Sequence, residues 1–283
     1  MNAIEMKAVT KTYGDFCLDS LSLTLPSGCI MGLVGENGAG KSTTIRLIMN
    51  AVAKDSGSIE VLGRDNSDPG FSELKEDIGI VLDEAYFPEI LNAKQVGKIM
   101  ASTYKRWDAD CFAAYLQRFS LPLTKSFKDF SRGMKMKLAI AVAMSHAPRL
   151  LILDEATSGL DPIVRDEILD IFNEFTRDES HSVLLSSHIT SDLEKICDYI
   201  AFLHEGKLVF LQEKDQLLEN YGILRCSKED FEVLPHEAII GHKDKEYSVE
   251  ALVNRRLLPQ GFTAERASIE EIMLFFIKGG SEK

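Results

Sequence analysis

Gly35, Gly40, Lys41 and Ser42 in the stretch GENGAGKST fit the spacing G-x-x-x-x-G-K-[ST], between the apolar run CIMGLV and the helix-like TIRLIMN. Glycines let successive backbone N–H groups curl round an anion, and a helix that follows turns the positive end of its dipole toward it. Gly35, Asn37, Gly38 and Gly40 therefore read as a phosphate cradle. Lys41 is placed to reach the β- and γ-phosphates of a nucleotide, and Ser42 to offer a hydroxyl to Mg2+, with Thr43 as a helper. A second group of the right chemistry closes the apolar run LLILDE. Carboxylates at the C-terminal end of a buried strand face the crevice where α/β sheets bind ligands. Asp154 is expected to hold Mg2+ through water, and Glu155 to accept a proton from a water attacking phosphorus.

The elements that must carry these groups are legible as short apolar runs: CIMGLVG (29–35), IGIVL (78–82), LLILDE (150–155), VLLSSH (183–188) and YIAFLHEGKLVF (199–210). Runs of this length, bounded by Gly, Asp and Ser, suit strands buried on both faces of a mainly parallel α/β sheet. The N-terminal AIEMKAVTKTYGDFCLDSLSLTLPSG instead alternates apolar and polar positions, as a half-exposed antiparallel sheet would. From about residue 84 to 148 the pattern is helical, with breaks at Pro122 and Pro148, so a helical block is inserted into the sheet. After about residue 215, GILRC, EAIIGH and EYSVEALVN read as strand pieces, and Ser268 with Glu271 forms a capping box opening a last helix. That helix is expected to bury Ile269, Ile272, Met273, Phe276 and Ile277 on one face.

Composition narrows the class of partner. A chain of 283 residues with net charge −12 disfavours duplex DNA, RNA or anionic lipid as the main partner. Five scattered cysteines without a CxxC pair read as reduced thiols, and His236 and His242 lack neighbours for a metal site. No segment reaches the roughly 18 uninterrupted apolar residues of a membrane helix, so any membrane work requires another chain. YKRW around Trp107 reads as a solvated helix face.

The segment FSRGMKMKLAIAVAMSHAPRLLILDEATSGLDP makes the pattern specific: it resembles the signature segment, second carboxylate motif and D-loop of an ATP-binding cassette ATPase. FSRGM stands where that family usually has LSGGQ, so Ser131 and Gly133 match while Arg132 and Met134 depart. As an N-cap followed by Gly, Ser131 and Gly133 also suit a helix that offers its N-terminus to an anion. The resemblance implies roles for Tyr13 as the aromatic that stacks on adenine, His188 as the switch histidine beside the catalytic carboxylate, and Asp161 as the D-loop aspartate. It also implies a glutamine after IGIVL; this chain has Asp83, expected to take that place near Mg2+, followed by Glu84.

The fold implied is α/β: a RecA-like P-loop NTPase core with an antiparallel β-subdomain and an inserted α-helical subdomain, over residues 1–215, plus a small C-terminal α+β accessory domain at 216–283. The resemblance further implies ATP and Mg2+ in the site, and a homodimer, or a cassette heterodimer, closing across ATP. It implies an integral membrane permease that holds the chain at the inner face of the cell membrane, and no nucleic acid. The expected activity is ATP hydrolysis driving export of a peptide or drug-like amphiphile, with Tyr86–Ile90 lining the permease groove. A soluble cassette ATPase acting on ribosomes or DNA is the alternative; it usually carries two cassettes, long coiled coils or basic stripes, none of which this sequence has.

Overall fold

The computed structural model describes residues 2–83 and 87–278. The chain opens with a hairpin, β1 (Asn2–Tyr13) and β2 (Phe16–Pro26), whose alternating buried and exposed positions fit a sheet with one covered face. It enters the core as β3 (Ile30–Val34), fully buried, and passes through the phosphate loop into α1 (Lys41–Ile48). Then β4 (Ser56–Val61) and β5 (Arg64–Asp65) complete an antiparallel sheet ordered β2-β1-β4-β5. A short helix α2 (Phe71–Leu74) leads to β6 (Ile78–Val81).

The helical block follows: α3 (Ala93–Thr103), α4 (Ala109–Arg118) and α5 (Arg132–Met144). Capping starts each helix where the sequence supplies an oxygen. Asn92 and Gln95 exchange the reciprocal bonds of a capping box, Asp108 accepts from two backbone N–H groups, and Ser131 accepts from Met134. The chain returns as β7 (Leu150–Asp154), α6 (Pro162–Phe175), β8 (Ser182–Ser187), α7 (Thr190–Ile196) and β9 (Tyr199–His204). The central sheet is ordered β10-β9-β3-β8-β7-β6, where β10 (Lys207–Glu213) alone runs antiparallel. The run YIAFLHEGKLVF is thus a hairpin turning at Glu205 and Gly206, not one strand covered on both faces. Its second half sits on the sheet edge, which lowers the apolar demand on it.

Beyond α8 (Lys214–Asn220), a third sheet forms from β11 (Tyr221–Cys226), β12 (Ile239–Asp244), β13 (Val249–Asn254) and β14 (Glu265–Arg266), in the order β12-β13-β11-β14; a short α9 (Lys228–Glu232) lies between β11 and β12. The closing helix α10 (Ile269–Lys278) begins at the expected capping box: Glu271 N–H donates to Ser268 Oγ, and Ser268 N–H donates back to Glu271 Oε2. Its buried face differs from expectation. Phe275 is buried with Ile269 and Ile272, while Met273, Phe276 and Ile277 are partly covered. The helix lies over the central core and the third sheet together, where Phe276 meets Phe210 and Tyr221, so two surfaces share its stripe.

Two further expectations change. Trp107 is not on a solvated helix face; it lies in the turn after α3 and packs against Phe112 and Tyr104, while Arg106 pairs with Asp77. Tyr86 and Glu84 lie outside the described residues. Phe87 packs edge-on against Phe127, and Ile90 is 80% exposed.

Candidate functional site

The C-terminal ends of β3, β7 and β8 lie level, since Val34 pairs with Ser187 and Asp154 with Ser186. Whatever each strand carries at that end arrives in one crevice. From β3 comes the phosphate loop. Gly35 allows close packing there, because a Cβ would stand 2.4 Å from the Leu203 carbonyl oxygen. Gly38 and Gly40 adopt φ of +87° and +111°, a region open to glycine. Asn37 and Gly38 are exposed at the loop's tip, and Gly40 leads into α1 without a side-chain cap. That leaves α1 with orphan N–H donors, the condition for binding an anion.

Lys41 is 6% exposed, an unusual state for a lysine. Its amine donates to the Gly35 carbonyl at 2.7 Å and lies 3.4 Å from Glu155 Oε1. Ser42 is exposed and Thr43 half-buried one residue on. Ser42, Asp83 and Asp154 line one cavity of about 620 Å³ with residues of α1. A hydroxyl with two carboxylates is the oxygen donor set a hard divalent cation takes, so these residues fit Mg2+.

Glu155 follows Asp154 with φ +52°, a left-handed conformation rare outside glycine. Its N–H donates to the Ser186 carbonyl at 3.1 Å, which fixes the bend. Such strain is held where neighbouring contacts over-determine it. Oε2 of Glu155 lies 2.7 Å from His188 Nδ1, which donates to it when protonated. Oε1 is buried, has no hydrogen-bond partner among the described residues, and faces the Lys41 amine at 3.4 Å. His188 thus holds one oxygen of Glu155.

Ser186 is a functional residue that motif reading missed. Its hydroxyl donates to Asp154 Oδ1 from the neighbouring strand, fixing which oxygen of Asp154 remains for a ligand. Ser182, Ser186 and Ser187 are all buried in β8, and a buried hydroxyl demands a partner, which was the available signal. Beyond His188, burial pushes the Asp192 carboxyl on α7 above the usual carboxylate range.

Tyr13 stands at the tip of the β1–β2 hairpin, 43% exposed, with the Lys11 amine over its ring. The hairpin reaches the phosphate loop through Phe16 and Leu18, whose side chains lie against Gly40.

Ser131, Gly133 and Asp161 form a second group, on α5 and α6. Ser131 and Asp161 are exposed N-caps, accepting from Met134 and Val164 respectively. Among the described residues Gly133 has no steric reason to be glycine: a Cβ would meet only Val164 and Leu160 at ordinary contact distance. Asp83 is shared between the groups, because Arg132 Nη2 donates to its Oδ1 at 3.0 Å.

A family model described as ABC transporter matches residues 18–158. A lantibiotic transport ATP-binding protein, SrtF of Streptococcus pyogenes, is 34% identical over 215 residues, covering 75% of this chain and 91% of that protein. A bacitracin transport ATP-binding protein, BcrA of Bacillus licheniformis, is 35% identical over 209 residues, covering 73% of this chain and 68% of that protein. Among solved structures, one titled as the ATP binding subunit of an ABC transporter superposes with a TM-score of 0.69 at 28% identity, covering 76% of this chain and 91% of that one.

Proposed function

The chain belongs to the ABC transporter family as an ATP-binding and ATP-hydrolysing subunit, and from that premise we propose that it powers export of a peptide or drug-like amphiphile through a separate membrane permease. The observation that carries the reading is the convergence of Lys41, Asp154, Glu155 and His188 at three level strand ends. Lys41 draws negative charge from the transferred phosphoryl group, and Glu155 Oε1 takes the proton of the attacking water while His188 holds Oε2. Ser42 and Asp154 would hold Mg2+, Asp154 through water and with Asp83 beside them, and the ion would supply charge neutralisation to the phosphates. Tyr13 offers its open ring to the adenine.

ABC ATPase subunits work as dimers with membrane permease partners. The exposed Ser131 and Asp161, with the half-buried Gly133, supply the surface for this, closing a second copy's nucleotide head to tail in a homodimer. Gly133, unneeded as glycine inside its own chain, is what a close approach by another chain requires. Residues 1–215 act as the nucleotide-binding domain and 216–283 as an accessory domain on its flank. Among the described residues no helix is long and apolar enough to cross a membrane. The permease therefore supplies the span and holds this chain at the inner membrane face. An apolar cavity of about 750 Å³ between α3 and α4, lined by Trp107, Phe112 and Leu116, offers a permease helix a seat; Phe87 and Ile90 of the expected groove are not among its lining residues. Relatives named for lantibiotic and bacitracin transport support the substrate class.

Glu155→Gln tests the site: ATP binding is retained while hydrolysis falls by about 10²–10⁴-fold, measured as phosphate release at saturating ATP. A rate equal to that of the wild type overturns the assignment.

A further inference from the structure

Asp83 follows β6 and faces the cavity that Ser42 and Asp154 share. Arg132 is the first residue of α5, directly after its N-cap Ser131. The two side chains form an ion pair at 3.0 Å, each about half exposed. The same guanidinium lies over Gly159, in the loop from Glu155 to Asp161, where a Cβ would stand 3.0 Å from its central carbon. One cation therefore sits where three segments meet: the loop beside the metal-binding side chains, the first turn of α5, and the loop leaving the catalytic carboxylate.

We propose that Arg132 is a positioning residue that acts through Asp83. It competes with the divalent cation for the Asp83 carboxylate, and so ties metal–nucleotide binding at one site to the first turn of α5, which serves the partner's site. The inference rests on the reading of Asp83 and Ser131 given under Proposed function. Geometry and magnitude both suit exchange. Oδ1 of Asp83 is committed to the guanidinium, so a metal-bound water donating there must displace it or share it. A half-exposed pair is weak, and a divalent ion can outcompete it, whereas a fully buried pair would hold Asp83 locked. Arg132 also reduces the negative potential at the cavity until the exchange occurs. Once released, α5 is freed from the Asp83 loop at the end that carries Ser131.

The test uses the full chain, with Mn2+ as a spin-active probe and a β,γ-imido analogue of ATP, and reads the Mn2+ half-saturation by electron paramagnetic resonance. Arg132→Gln frees Asp83 and lowers the half-saturation by about two- to fivefold, the range for an exposed pair. Asp83→Asn raises it by about tenfold or more, as loss of a group that holds a metal's water does. The double variant matches Asp83→Asn alone, and Arg132→Lys stays near the wild type. Sedimentation velocity supplies a second readout: in Arg132→Gln, nucleotide drives self-association at a correspondingly lower Mn2+ concentration. An unmoved Arg132→Gln, or additive effects in the double variant, overturns the proposal alone. A metal shift without the self-association shift overturns the link to α5. A wild type that takes up no metal–nucleotide overturns the functional reading as well.

Discussion

Two helix N-termini in this chain carry glycine beside a basic residue, and the fold treats them in opposite ways. At the phosphate loop, Gly35 is enforced from inside by the Leu203 carbonyl, Gly40 is pressed by Phe16 and Leu18, and Lys41 is buried. At the start of α5, Gly133 has ordinary room, Ser131 and Arg132 face solvent, and the cap is a single hydrogen bond of 3.3 Å. The first terminus is finished by its own chain. The second keeps its small residue and its cap without an internal use for the glycine, which is how a surface built for a neighbouring molecule looks. The contrast teaches that a glycine's reason can be located by asking which atoms a Cβ would strike.

Substituting those glycines puts the contrast at risk, and the larger effect belongs to the phosphate loop. Gly35→Ala drives a methyl into backbone that cannot yield, so about 1–3 kcal/mol of stability is lost and nucleotide affinity falls with it. Chemical denaturation with and without ATP measures both. A variant as stable as the wild type would show that the loop is not enforced from inside. Gly133→Ala is expected to leave stability unchanged or raise it by up to about 1 kcal/mol, because alanine favours a helix and meets no clash. Its ATPase rate is nevertheless expected to fall, since in the proposed homodimer the added methyl meets the second copy. A stable Gly133→Ala with an undiminished rate would erase the distinction between the two termini.

The smallest effect concerns the far end of α5. His146 stacks on Tyr104 with centroids 4.0 Å apart and its Nδ1 lies 3.0 Å from the Glu76 carbonyl oxygen. Burial holds its pKa below the ordinary imidazole value of about 6.5. The unfolded chain then binds a proton more readily than the folded one, so the histidine's contribution is full above that value. It is lost as pH falls through the lowered folded pKa. The melting temperature should fall on acidification from pH 7.5 toward 5, and less steeply in His146→Gln. Equal slopes would show that this anchor does not hold α5 through its neutral form.

The positions of the glycine loop, of Asp154 and Glu155, and of His188 at strand ends were legible in the letters, because each is a local device: a glycine spacing, a run ending in acids, a strand ending in histidine. The parallel core and the helical insert were equally legible, since burial on both faces writes continuous apolar runs and amphipathic helices write periodic ones. The hairpin at Glu205–Gly206 was not, because an edge strand of modest length imitates the continuation of a buried one. Nor was Phe275, whose burial depends on a helix wedged between two sheets at once.

What the sequence determined by itself was therefore the list of chemical groups and the strand ends or helix starts that carry them. Tertiary structure alone decided which oxygen of Glu155 meets His188 and which meets Lys41, that Ser186 reaches Asp154 across the sheet, and that Asp83 meets Arg132. The contacts made by His188, Ser186 and Arg132 join residues between 32 and 49 positions apart in the chain. Separation of that size leaves no local periodicity, so only strand register and the docking of α5 could bring such partners within a hydrogen bond.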